Sequence, residues 1–160
     1  MNERYNVGPL DWLEGNIDHY AAKIGVKCES PIELGMLRAF LAMRLGDRRI
    51  KIDGLEAGAV LTEWEATVYP QHKAGDYRLD FAIEVTVGDK SVWLGVECDG
   101  HDFHERTKEQ AARDKLRDRT LTSAGYRMLR FTGSEIHRDN MGCVLQVHKL
   151  IIQLAGELAA

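Results

Sequence analysis

Three prolines in 160 residues are too few for a linker-rich or disordered chain. Three cysteines, Cys28, Cys98 and Cys143, are too few and too scattered for a disulfide framework, and no Cys-x-x-Cys pair offers a thiolate zinc site. Cys98, His101 and His104 share a ligand-like spacing, but three candidates without a fourth nearby do not make a structural zinc centre. No apolar run approaches the ~20 residues that span a bilayer, and the first residues carry no stretch of signal-peptide type. The expectation is a chain with no membrane partner, its thiols reduced, in the cytoplasm. A basic excess is missing too: the formal charge is −4, so no global positive field marks a nucleic-acid binder. Positive charge is concentrated instead, with Arg106, Lys108, Arg113, Lys115, Arg117 and Arg119 in one short segment.

What remains is an ordinary globular composition of a size that suits one domain. Leu10, Leu13, Ile17, Ala21 and Ile24 recur at helical spacing and Gly25 follows, which predicts an amphipathic helix over about 10–24. Ser30, Pro31 and Glu33 form a helix-start signature, and the helix they open runs through Leu34, Leu37, Phe40 and Leu41 to Gly46. From Asp47 to Thr62 the pattern is mixed and decides nothing. A strand is expected over about 66–71, and Tyr77 to Val87 alternates with Leu79, Phe81, Ile83, Val85 and Val87 on one face. Gly88 to Ser91 reads as a hairpin turn, followed by a strand that alternates Val92, Leu94, Val96, Cys98 with Trp93, Gly95, Glu97, Asp99. A helix over about 105–124, stopped by Gly125, and a strand from Tyr126 to Phe131 complete a crossover that makes these strands parallel. The prediction is therefore an α/β fold with a mixed sheet flanked by helices. It is a helical N-terminal part to about 46, a core over about 66–132 and a closing helix over about 139–158.

If the hairpin closes around 88–91, Val87 faces Val92, Phe81 faces Cys98 and Asp80 faces Asp99, with Glu97 diagonal to Asp80. A slip of two residues preserves the face. Three carboxylates from two strands then gather where like charges destabilise a sheet, so something must compensate. A hard divalent cation does so, a raised carboxyl pKa is the second answer, and nearby lysines or arginines on a plain solvent face are the third.

The series Ser30-Pro31-Ile32-Glu33, Gln71, Asp80, Glu97-Cys98-Asp99-Gly100, His104, the arginine-rich helix and Gly125-Tyr126-Arg127-Met128-Leu129-Arg130-Phe131 resembles the restriction-endonuclease-like, or PD-(D/E)XK, superfamily. It is similar to the branch related to the very-short-patch repair endonucleases. The resemblance implies a metal-dependent endonuclease that hydrolyses phosphodiester bonds of DNA with Mg2+ or Mn2+. Carried over by position, it makes Asp80 the central metal ligand and Glu97 a second, with the backbone carbonyl of Cys98 assisting. Glu33 would reach in from its helix and Gln71 would orient a ligand or water. The superfamily usually has lysine two residues after the second acid; this chain has Asp99 there, as that branch does. The resemblance passes the lysine's task first to His104 and then to Lys108, with His101 a weaker candidate. Glu33 is equally explained as part of a capping box, and Gln71 as a polar strand residue. The rival readings are a catalytically inactive module on the same fold that binds nucleic acid or a protein partner, and a metal-dependent hydrolase of small phosphorylated molecules. A repair or defence setting and the oligomeric state are not legible in the residues.

Overall fold

The computed structural model describes residues 9–55, 62–100 and 107–160, with side chains from residue 15 onward. Helix α1 spans Pro9–Ile24 and runs into a short 3-10 turn, Gly25–Lys27. Helix α2, Pro31–Gly46, starts where the sequence places it: the Ser30 hydroxyl accepts from the Glu33 amide and proline fills the first turn. Five strands follow in sheet order β1-β2-β3-β4-β5. They are β1 Ile50–Ile52, β2 Glu65–Ala74, β3 Tyr77–Val87, β4 Lys90–Asp99 and β5 Tyr126–Thr132. β1 and β2 are parallel, β2–β3 and β3–β4 antiparallel, and β4–β5 parallel across helix α3, Lys108–Ser123. Helix α4, Gly133–Ala159, closes the fold.

The mixed sheet is the one expected, but several boundaries move. β1 occupies part of the segment whose pattern was ambiguous; three residues are too short to show a period. β2 continues past residue 71 to Ala74. The closing helix begins at Gly133, well before 139, because Thr132 and Glu135 form a reciprocal capping box; Asp139, with non-helical backbone angles, bends it at the expected start. The first turn of α3 is likewise capped by Thr107 and Gln110.

The sheet has two unequal faces. Ala66, Val68, Phe81, Ile83, Val85, Leu94, Val96, Cys98 and Phe131 join residues of α2 and α4, including Phe40, Met36, Val144 and Ile151, in the main core. The opposite face carries a small core of Ala74, Leu79, Ala82 and Leu121, with Trp93, Tyr126 and Met128 packed on it. Helix α3 buries Leu121 against this face and leaves Lys108, Arg113, Lys115 and Arg119 exposed.

The hairpin is tighter than expected. Val87 pairs with Lys90 around a two-residue turn, Gly88-Asp89, and Gly88 sits at φ +59°, a conformation glycine adopts without strain. The register therefore slips by two from the expected one: Val85 faces Val92, Ile83 faces Leu94 and Phe81 faces Val96. Apolar still meets apolar, so the pattern could not distinguish the two registers.

Candidate active site

Strict alternation along β3 also fails, at Asp80. Leu79 belongs to the small core while Phe81, two residues on, belongs to the main core, so the chain changes face between them. The neighbouring strand breaks at the same level. Pairing runs through Pro70–Phe81 and resumes at His72–Leu79, leaving Gln71 and Asp80 opposite each other and unpaired. Gln71 has φ +53°, a left-handed value that glutamine adopts only when its surroundings hold it there. Released from the ladder, the Asp80 carboxylate accepts from the Cys98 amide of β4 at 2.7 Å.

Three further carboxylates surround it. Glu97, 4% exposed, bonds through Oε1 to Arg117 of α3, whose same Nη2 also donates to the carbonyl of Arg78 at 2.6 Å. Asp99 accepts from Nη1 of Arg130 at 3.1 and 3.2 Å, while Nη2 of Arg130 bonds Asp118 at 2.6 Å. Glu33, 6% exposed, accepts from the Glu29 amide at 2.8 Å, the Ser30 hydroxyl at 2.7 Å and Nε2 of Gln71 at 2.7 Å. It is thus both the cap of α2 and the partner of Gln71, which joins α2 to the break in β2. Oε1 of Gln71 and Nε of Arg117 are buried without a hydrogen-bond partner among the described residues.

Burial and negative charge dominate here. Burial pushes the Asp80 carboxyl above its ordinary range, the Cys98 amide opposes this, and Glu33 and Asp99 add to the rise. Glu97 is pushed up to about 8, first by burial and then by Asp80, with Arg117 and Arg130 opposing. The thiols of Cys28 and Cys98 are raised as well, by burial and by the same acids; Cys28 reaches about 11. The arginines therefore offset only part of the charge. Beside Gln71 lies an open basin of about 410 Å³, walled by Lys27, Tyr69, His72, Lys73 and Arg78. Lys27–Asp53 and Arg78–Glu29 ion pairs brace it at 3.0 and 2.6 Å. His72 stacks on Trp93 with ring centroids 5.0 Å apart, and burial lowers its pKa.

A family model described as REase_MTES_1575, of restriction-endonuclease-like domains, matches residues 56–151, more than half of the chain. The chain belongs to that family. No curated protein and no solved structure matches it. The restriction-endonuclease-like fold expected from the motif order agrees with the five-stranded mixed sheet and its flanking helices. The matched span of this REase_MTES_1575 domain contains Gln71, Asp80, Glu97, Cys98, Asp99, Arg117 and Arg130; Glu33 lies outside it.

Of the expected site residues, the structure brings Asp80, Glu97, Cys98, Glu33 and Gln71 together. Asp99 does not oppose Asp80: the two-residue slip puts Glu97 at that level and leaves Asp99 on Arg130. Lys108 is exposed at the start of α3. His101 and His104 lie outside the described residues. From the sequence, Lys108 and Arg113 to Arg119 read as a solvated helix face with phosphate contact as the alternative, which gave Arg117 no place beside the acids, and Arg130 had no assigned role. A signal for Arg117 was available: it lies four residues before Leu121, on the same helix face as the residue that anchors α3 to the sheet.

Proposed function

We propose that this REase_MTES_1575 domain is a metal-dependent DNA endonuclease that uses Mg2+ or Mn2+. The observation that carries this reading is the placement of Asp80 and Glu97 on adjacent strands, at a break in the sheet, with both carboxyls raised by burial first and then by neighbouring acids, Glu33 and Asp99 acting on Asp80 and Asp80 on Glu97. Such an arrangement costs stability unless a cation is bound, and buried groups with perturbed pKa values mark functional sites.

Among the described residues no three His, Cys, Asp or Glu side chains gather as a metal-binding group. Magnesium requires fewer: one or two carboxylates commonly suffice, with water and substrate phosphate completing the shell. The donor set fits that pattern. Asp80 and Glu97 would hold the ion with the Cys98 carbonyl, and the unpartnered oxygen of Gln71 offers a neutral acceptor for bound water. A divalent ion there supplies charge stabilisation at the phosphate and lowers the pKa of a bound water. Glu33 fixes Gln71, and Gln71 with Asp80 defines the break that frees the carboxylate from the ladder. Lys108, Lys115 and Arg119, at helical spacing on one side of α3, supply an exposed basic face for contacts to the DNA backbone. The motif order supports kinship with the very-short-patch repair branch, and a role in repair or defence follows from that kinship.

A second reading has its own observation: Glu97 and Asp99 are each engaged by an arginine, an arrangement equally suited to an inactive binding module. Cleavage separates the two. Purified protein is incubated with supercoiled, linear, mismatched and single-stranded DNA in Mg2+ or Mn2+, beside Asp80→Ala. Nicking by wild type that disappears in the variant is the expected result; two folded proteins that cut nothing under any condition would overturn the endonuclease reading.

A further inference from the structure

We propose that Arg117 is the cationic residue that serves this site where the superfamily pattern places a lysine: it neutralises Glu97 in the metal-free chain and directs its guanidinium at the phosphate when a metal ion takes that carboxylate. The proposal rests on the nuclease reading and names the residue that the reading leaves open.

Among the described residues, geometry separates Lys108, Arg130, Arg78 and Arg117 for the task; His104 and His101 lie outside those residues. Lys108 is exposed and lies about 13 Å up the axis of α3 from Arg117, too far to share its position. Arg130 is committed to two carboxylates at once, Asp99 and Asp118, so its fork is occupied on both sides. Arg78 pairs with Glu29 at the rim of the basin. Among the described residues, Arg117 is the cation that contacts a carboxylate of the candidate metal pair.

Its donors are also unspent. The bonds of Arg117 to Glu97 and to the Arg78 carbonyl both use Nη2, while Nε has no partner among the described residues. Arginine carries five N–H donors in a planar fork suited to phosphate. The Arg78 carbonyl, and the Tyr77 ring 5.9 Å from the guanidinium carbon, hold the group in place independently of Glu97. It therefore stays at the site when Glu97 is taken, and the side chain, a quarter exposed, remains open to a ligand.

Competition for Glu97 gives a readout other than activity. Mn2+ binding to the DNA-free protein is measured by the loss of the free-ion electron paramagnetic resonance signal, for wild type, Arg117→Gln, Arg117→Lys and Asp80→Asn, alongside Mg2+-dependent cleavage. Thermal melts confirm folding, and Arg117→Lys keeps a charge on Glu97 where the glutamine variant is unstable. The expected result is tighter Mn2+ binding by Arg117→Gln together with cleavage reduced by about 10²-fold, partly restored in Arg117→Lys. Cleavage by both folded variants within about threefold of wild type would overturn the proposal and leave the nuclease reading intact. So would unchanged or weaker Mn2+ binding by Arg117→Gln. A wild type that neither cuts DNA nor binds Mn2+ in a manner sensitive to Asp80→Asn would overturn both.

Discussion

Gln71 and Asp80 face each other across β2 and β3 without pairing, and the chain of β3 changes face at that point. Gln71 holds a left-handed backbone conformation, φ +53°, tied by its side chain to Glu33. A ladder bond is given up on each strand, and a carboxylate is turned out of the sheet's regular alternation. Strain of this kind persists where other contacts enforce it.

Substitution at Gln71 measures that strain directly. Gln71→Ala loses the bond to Glu33 and keeps the unfavourable backbone angle; Gln71→Gly loses the same bond and relieves the angle. The glycine variant is expected to be the more stable of the two by roughly 0.5–1 kcal/mol in urea unfolding, despite its greater unfolded-state entropy. Equal stability, or a more stable alanine variant, would show that the break carries no left-handed strain.

The raised carboxyls set the pH response of the metal-free protein. In the unfolded chain Glu97 releases its proton near 4.5, whereas in the fold it holds the proton to about 8. The folded state thus binds more protons between those values, and stability falls as pH rises through the window. Asp80, also raised, acts in the same direction. Asp80→Asn removes the largest charge acting on Glu97, so the variant is expected to gain on the order of 1 kcal/mol near pH 8 in chelator and to show a flatter profile. Added Mg2+ is expected to raise the melting temperature of wild type more near pH 8 than near the acid end of the window. A profile that is flat in wild type and unchanged in the variant contradicts the burial of unneutralised charge.

A second acid gives the opposite sign. Asp47 closes α2 and accepts from the Arg49 amide, from Nε and Nη2 of Arg49, and contacts Nε2 of His148 on α4 at 3.0 Å. The Arg49 bonds hold its carboxyl well below the usual range. Its contribution is therefore present above 3.8, the unfolded value, and lost as pH falls through the depressed folded value. Asp47→Ala is expected to cost about 2 kcal/mol near neutrality, with the difference from wild type shrinking in acid. A constant difference across that range would exclude ionisation as its source.

How much of this was legible follows from the range of each interaction. The Ser30–Glu33 cap, the helix after it, the hairpin at Gly88 and the stop of α3 at Gly125, whose φ is +92°, are local, and a few adjacent residues write them. The ordered acids Glu33, Asp80 and Glu97 were likewise visible, because the motif series carries them in chain order. The two-residue register slip was not, since both registers pair apolar with apolar. Nor was the face change at Asp80: Leu79 is apolar and satisfies either core, so the period-two pattern reads straight through the break. Arg117 and Arg130 gained their meaning only in the fold, where α3 brings Arg117 to Glu97 and the parallel pairing of β5 with β4 brings Arg130 to Asp99. The sequence by itself determined the helices α1 to α3, the long strands and the identity of the acids, but not β1, which is too short to show a period. Which carboxylates meet, and which arginines answer them, was decided by contacts distant in the chain, because the energy of a buried charge depends on its neighbours in space.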